Sequence, residues 1–499
     1  MDFPDRVINI YEINTRQWLH ALSLEKGQKV TLQQIPVSFW EKLKQIGIDL
    51  VWLMGVWQTT PSSIPAYCFE PGLKSSYSEV LPDWRPEDVG GSPYAIDDYR
   101  ISPLVGDENQ LKWLKKTLND RNIKLILDFI PNHFNAHTSL LLKHPDIFIS
   151  GDQNDHARRP SIFYKRGERY WAHGKDPYFP AWTDTVQVNY FKQEARSFMK
   201  DCLLKLGGIC DGVRCDMAML AINRIFYDNW SSMSSAPKGF THQPEFWEDT
   251  INKVKQDFPQ FIFIAEVYWD LEDEMQQLGF DYTYDKRLLD NLRKGNITEI
   301  RNHLQTGLIY QSRLTRFLEN HDEPRMMSSL PMERVQAAAV ITYTVPGARL
   351  FYHGQLEGSR KKIPVQLLRT PVETPCPCPL RSAIKSADEI VCACQASFYQ
   401  KLMPIVTKEA FRKGEWELIP GAVPGNSILS WKWTWKEKNY LVVINYSEKS
   451  VKAKIAFETN GGVEGIDLLN ESTIALNIDH GMLSIDLPPY KSRILEICK

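Results

Sequence analysis

Short apolar runs separated by segments of helical periodicity constrain this chain more than any other feature. The runs are Val7–Ile13, Ile48–Val56, Ile123–Ile130, the stretch from Gly208 to Asp216, Phe261–Ala265, Phe280–Tyr284, Leu314–Leu318 and Arg349–Tyr352. Between the first two, Phe39, Leu43 and Ile46 recur at helical spacing, which predicts a helix over Pro36–Ile46 stopped by Gly47. The same reading predicts helices over Asn109–Leu118, Gln193–Leu206, Trp247–Phe258 and Val335–Thr344. The apolar runs are continuous rather than alternating, as in a parallel sheet covered on both faces. Strands and helices taking turns in this way predict an α/β fold, a closed (β/α)8 TIM barrel.

The alternation is interrupted after the third strand. Residues 134–190 are rich in His, Pro, Asp and aromatics, have no clear period, and are too long for an ordinary barrel loop. They predict an inserted subdomain between two parts of the barrel, 1–133 and 191–402. A Pro- and Cys-containing stretch, Arg369–Ala396, reads as an irregular insertion. Beyond it Trp431-Lys432-Trp433-Thr434-Trp435 alternates with period two, and Leu441–Asn445 and Ser484–Leu487 are further strands. Residues 403–499 are therefore expected to form a C-terminal all-β sandwich.

Charge narrows the function classes. Lys plus Arg number 59 against 61 Asp plus Glu, a formal net charge of −2, so nothing favours nucleic acid or an anionic membrane. No apolar run reaches the length of a membrane span. Met1–Arg6 lacks a basic segment followed by an apolar one, which makes the cytoplasm the expected location. Among nine cysteines, Cys376-Pro377-Cys378 and Cys392-Ala393-Cys394 could together supply four thiolates to zinc, although structural zinc pairs are usually spaced more widely. Free thiols are the preferred reading. Trp57, Trp171 and Trp182 are candidate platforms for a sugar ring, with core packing as the ordinary alternative.

Four of the predicted strand ends carry the chemistry. Asp128 ends the third, with Asn132 and His133 just beyond; Arg214 and Asp216 end the fourth; Glu266 follows the fifth; Asn320, His321 and Asp322 follow the seventh. In a strand, residues two apart point to one side, so Arg214 stands beside Asp216 and holds its carboxylate ionised and fixed. Barrel active sites form at the C-terminal ends of the strands, where these residues would converge. Acids sharing one cleft cannot titrate alike, because repulsion and desolvation raise some and leave others charged. One carboxylate as nucleophile and one as proton donor is the requirement for retaining glycoside hydrolysis.

On these residues the chain resembles glycoside hydrolase family 13, the α-amylase family. Asp128-Phe129-Ile130-Pro131-Asn132-His133, Gly212-Val213-Arg214-Cys215-Asp216, Ala265-Glu266-Val267 and Phe317-Leu318-Glu319-Asn320-His321-Asp322 are similar to its four motifs, in order. Val186-Gln187-Val188-Asn189-Tyr190 resembles a further motif near the end of the inserted subdomain, and Ser92-Pro93-Tyr94 with Asp98 resembles the segment that brings a tyrosine to the reacting sugar. The resemblance implies Asp216 as nucleophile, Glu266 as acid and base, and Asp322 as the third carboxylate. It implies Tyr94, Asp128, His133, Arg214, Asn320 and His321 as substrate-binding positions. The reacting carboxyl groups of Asp216 and Glu266 are expected roughly 5–5.5 Å apart.

The resemblance further implies an oligo- or polysaccharide substrate cleaved at α-1,4 links. Transglycosylase, α-glucosidase and phosphorylase action on the same scaffold stay open, while the complete acid set disfavours a non-catalytic relative. No cofactor is required. Calcium is the one metal the resemblance allows, because Asn132 holds a position that ligates it in many members, yet no full set of oxygen ligands is legible in 134–190. Met219 and Leu220 stand where many starch-cleaving members have Lys-His, which weakens the case for a calcium-bound endo-amylase.

Overall fold

The computed structural model describes residues 6–233, 237, 239–375, 391–419, 421–422, 427–457 and 463–497. The barrel strands are β1 (Asn9–Asn14), β2 (Leu50–Met54), β3 (Lys124–Phe129), β4 (Gly212–Cys215), β5 (Ile262–Ala265), β6 (Tyr282–Tyr284), β7 (Leu314–Phe317) and β8 (Ala348–Tyr352). Each pairs in parallel with its neighbours in sequence, and β1 pairs with β8 through Asn9↔Arg349 to close the ring. Every residue of β1, β2, β4, β5 and β8 is buried, as continuous apolar runs require in a sheet covered on both faces. The TIM barrel expected from the alternation is the observed fold.

Boundaries move where turn chemistry competes with apolarity. The fourth run yields only Gly212–Cys215, because the preceding helix, Gln193–Gly207, runs on and Cys210 N still bonds the Leu206 carbonyl. The stretch after β2, for which the periodicity predicts no helix, contains one at Pro71–Val80 that Pro71 starts from a first-turn position. It also contains two short strands, Trp57–Thr59 and Ile96–Ile101, paired antiparallel. A helix at Thr15–Lys26, absent from the periodicity, is capped by the Asn14 side chain and stopped by Gly27 at φ 62°.

The insertion after β3 leaves the barrel on a strand at His133–Asn135 and returns on one at Thr185–Gln187, the two paired antiparallel. Between them lies a three-stranded sheet of Ser150–Gly151, Arg169–Ala172 and Phe163–Arg166. The C-terminal strands form one antiparallel sheet, nine strands among the described residues. Strands from distant places in that sheet, bearing Leu441, Leu495, Ile455 and Leu483, share one apolar core, so the expected two layers arise within a continuous sheet. The helix Ala393–Val406 runs through the expected boundary at 402/403, and the first strand of the sheet starts at Glu415. Arg349 of β8 donates to the carbonyls of Val406 and Phe411, which fastens this helical connection under the barrel.

Of the two CxC pairs, Cys376 and Cys378 lie outside the described residues. Cys392 is a buried free thiol, whereas Cys394 is disulfide-bonded, so Cys394 is neither a free thiol nor a zinc ligand. Among the described residues no helix is long and apolar enough to cross a membrane.

Candidate active site

At the C-terminal ends of the barrel strands lies a cavity of about 950 Å³. Tyr94, His133, Trp182, Asp216, Glu266 and Asp322 line it, so six of the residues singled out from sequence meet in one hollow. The remaining ones are buried behind it or beside it.

Arg214 is the centre of the arrangement and is wholly buried. Its Nη1 donates to Asp216 Oδ1 at 2.8 Å, and its Nη2 lies 2.8 Å from Glu266 Oε2. One planar guanidinium thus holds both acids side by side, a task its rigid fork suits. Asp128 Oδ1 lies 3.5 Å from the same Nη1, while Asp128 Oδ2 accepts from Gly55 N at 3.0 Å. Asp128 therefore supports Arg214 from below and does not reach the cavity; the substrate contact expected of it is corrected to a supporting one. The rings of Trp52, Tyr94 and Tyr284 surround the guanidinium at 5.2, 5.2 and 5.7 Å.

Burial pushes the Asp216 carboxyl up to about 7, opposed by Arg214 and reinforced by the charge of Glu266. Besides its ion pair with Arg214, Glu266 receives two hydrogen-bond donors. Met217 N donates to Oε2 at 2.7 Å and the Tyr268 hydroxyl to Oε1 at 2.7 Å. Met217 reaches this position only because it is left-handed, at φ 41°, directly after Asp216. A non-glycine residue held there is strained, which functional sites tolerate when the surroundings fix it.

Asp322, with its side chain 47 % exposed, is the most open of the three acids Asp216, Glu266 and Asp322. His321 Nε2 stands 3.0 Å from Asp322 Oδ2 and 2.7 Å from the Tyr94 hydroxyl, and its Nδ1 stands 2.6 Å from Glu12 Oε1. Burial lowers the affinity of this ring for a proton, but Asp322 and Glu12 outweigh burial and raise it to about 10; the same contact holds Asp322 well below the usual carboxylate range. His321 is thus an imidazolium clamped between two acids, with the Tyr94 ring stacked on it at 5.1 Å. Its own side chain is buried and borders a neighbouring cavity of about 610 Å³ rather than the main one. His133, by contrast, is pushed down to about 4 by burial and faces the cavity as a neutral ring beside Trp182, 5.2 Å away.

Asn320 accepts from Asp322 N at 3.0 Å and Glu323 N at 2.8 Å, so it shapes the turn that presents Asp322 rather than meeting substrate. Asn132 is buried and its side-chain oxygen accepts from Gln187 Nε2 at 2.9 Å, so this oxygen carries an amide donor. Among the described residues no group of three or more His, Cys, Asp or Glu side chains is disposed to hold a metal. The donor set at Asn132 does not fit calcium. Of the three tryptophans singled out from sequence, Trp57 and Trp171 are core, the Trp57 indole donating to the Asp128 carbonyl at 2.7 Å, and Trp182 lines the cavity.

Glu12 and Tyr268 are among the residues of the site that carry no motif in the sequence reading. Glu12 was legible as the one acid in the otherwise apolar first run. Tyr268 follows Glu266 by two, the spacing that gives same-side neighbours in a strand. Trp269 and Asp270 come next, both left-handed at φ 66° and 59°, and both line the cavity. The Trp269 ring meets that of Tyr178 from the inserted subdomain at 4.9 Å, edge to face. Tyr178 and Phe179 are exposed at this rim.

A closed parallel barrel whose strand ends gather three acids round a buried arginine defines the class: a (β/α)8-barrel protein with an acid-lined cleft. The catalytic-domain model of the α-amylase family matches residues 39–365, and the chain belongs to that family. It is 26% identical to an α-amylase, MalA, of Haloarcula japonica over 280 residues, 54% of this chain and 36% of that protein. It is 23% identical to a 4-α-glucanotransferase of Thermotoga maritima over 346 residues, 64% of this chain and 65% of that protein. The chain thus spans between about a third and two thirds of the length of these curated relatives. In fold it is similar to a noncanonic maltogenic α-amylase, AmyB, of Thermotoga neapolitana, with a TM-score of 0.69 at 21% identity over 100% of both chains.

Proposed function

We propose that this protein is a retaining α-glucan glycosidase that cleaves α-1,4 links of starch-like or maltooligosaccharide substrates. The single observation that carries the reading is the fork of Arg214, which presents Asp216 and Glu266 together to one cavity. Two carboxyl groups so placed suit double displacement. Asp216 attacks the anomeric carbon as the glycosidic C–O bond breaks, and Glu266 delivers its proton to the departing oxygen. Water, giving a proton back to Glu266, then displaces Asp216. The pair must hold one proton between them, with Asp216 ionised at the moment of attack. Asp322, kept charged by His321, is placed to bind sugar hydroxyls and to favour the positive charge that develops on the ring. The neutral ring of His133, which lines the same cavity, offers a further hydrogen bond.

The test is product analysis. Maltoheptaose and starch should yield shorter sugars whose first-formed anomer is α. Glu266→Gln should lose about 10²–10⁴-fold on ordinary glucosides and far less on aryl glucosides with good leaving groups. If no sugar of a panel of starch, pullulan, maltotriose, sucrose and trehalose is cleaved, the reading fails.

The aromatic rim favours a second reading on the same chemistry. Trp269, Tyr178 and Phe179 beside Glu266 could hold a sugar that replaces water as acceptor, making the enzyme a glucanotransferase. Longer as well as shorter products from maltotriose would identify it. For location, the cytoplasm is the expectation from sequence, while the disulfide at Cys394 favours an oxidising compartment. Mass spectrometry of Cys394 in protein from its native cells decides between them. We read 134–190 as a subdomain that supplies one wall of the cleft, through His133, Phe179 and Trp182 at and beyond its edge.

A further inference from the structure

Three acceptor contacts converge on one atom where the barrel meets the inserted subdomain. Gln187 Nε2 lies 2.9 Å from the Asn132 carbonyl, 2.9 Å from Asn132 Oδ1 and 3.1 Å from the Val188 carbonyl. The Asn132 carbonyl also accepts from Val188 N at 3.0 Å. All of this is buried, and Gln187 is fully so. Three oxygens facing one point would repel each other unless something positive sat among them. A divalent cation is one solution, and calcium takes six to eight oxygens at about 2.3–2.6 Å. Here the partly positive NH₂ of an amide fills the point at hydrogen-bond distance, and a backbone N–H already engages one of the three oxygens. Gln187 Oε1 is left buried with no partner. Turning the amide over would give that oxygen no better surroundings, because it would face the three others. The orientation is fixed by that choice.

We infer that the Gln187 amide replaces a structural cation at this junction, so that the fold holds together without calcium. The position matters for the cleft. Gln187 pairs across the sheet with His133, whose ring lines the cavity, and Asn132 precedes it in the chain. A cation here would set the angle between barrel and subdomain by coordination; the amide sets it by hydrogen bonds that are part of the chain. The inference does not depend on which sugar bond the enzyme cleaves.

Elemental analysis and thermal melting of the full chain test it. The purified protein should carry far less than one equivalent of calcium, and its Tm should be the same in EDTA and in millimolar CaCl₂. Gln187→Glu puts a carboxylate among the three oxygens. It should melt below the parent in EDTA and recover when CaCl₂ is added, a gain of metal dependence that a purely packing role would not produce. About one equivalent of bound calcium in the parent, a parent Tm that falls in EDTA, or a Gln187→Glu protein that melts like the parent in EDTA would each overturn the inference. Should Gln187→Glu fail to fold, the parent's own response to EDTA still decides.

Discussion

The Tyr268 hydroxyl donates to Oε1 of Glu266 at 2.7 Å, and Tyr268 is buried. With Arg214 on Oε2, this leaves Glu266 gripped at both oxygens. Burial and the charge of Glu266 hold the tyrosine hydroxyl protonated far above neutrality, so it acts only as a donor in this contact. A donor to a carboxylate favours its charged form.

Tyr268→Phe removes that donor and leaves the ring. The carboxyl pair should then keep its proton to higher pH, and the alkaline limb of the kcat profile should move up. A mere packing role would alter Tm and leave the limb in place. The measurement is kcat against pH on an aryl maltoside for parent and variant.

The acid limb has a different origin. In the proposed mechanism Asp216 must be ionised to attack, and in the free protein it is raised to about 7. Below that value the fraction ready to react falls tenfold per pH unit, so kcat/KM, which reports the free enzyme, should begin to fall near pH 7 and continue downward. A kcat/KM flat from pH 7 to 5 would show that the carboxyl pair titrates otherwise. Asp216→Asn should abolish turnover at every pH.

Much of this site was legible because its acids sit at the ends of apolar runs, and β-strands that end in one ring bring such ends together whatever loops intervene. Asp216, Glu266 and Asp322 are of this kind. The same logic misplaced Asp128 and Asn320, which have the sequence position of wall residues but turn their side chains to Arg214 and to a backbone turn. Sequence position fixes a strand end; only packing decides which way its side chain is used. Tyr268 and the left-handed Met217, Trp269 and Asp270 were illegible for a further reason. Their backbone is imposed by the surroundings against local preference, so no local pattern announces it.

The ion pair of His321 and Asp322 makes stability depend on pH in a defined window. His321 binds its proton to about 10 in the fold against an ordinary 6.5, so its contribution is whole below 6.5 and is lost as pH rises towards 10. Asp322 is held below its ordinary 3.8, so its contribution is present above 3.8 and is lost as pH falls further. The pair is complete between those two values. The parent Tm should therefore decline from pH 6.5 to 10 more steeply than that of His321→Gln. Equal slopes by calorimetry would show that the ring is not charged in the fold.

In the proposed glycosidase, the rim beside Glu266 is expected to set how long a substrate the cleft prefers. Trp269 is forced into a left-handed backbone that its bulk disfavours, and the ring so placed lines the cavity and leans on the exposed Tyr178. Strain of this sort persists only where the surroundings hold it. A sugar leaving from Glu266 would pass over these rings. Stacking on an aromatic face is worth roughly 0.5–1.5 kcal/mol if it resembles an aromatic pair, or about 2- to 12-fold in binding. Trp269→Ala should raise KM for maltoheptaose by that factor and leave KM for α-glucosyl fluoride, which puts a single atom on that side, nearly unchanged. An equal rise for both substrates would mean that Trp269 supports the acids rather than the substrate, and its strain would then belong to holding Tyr268 against Glu266.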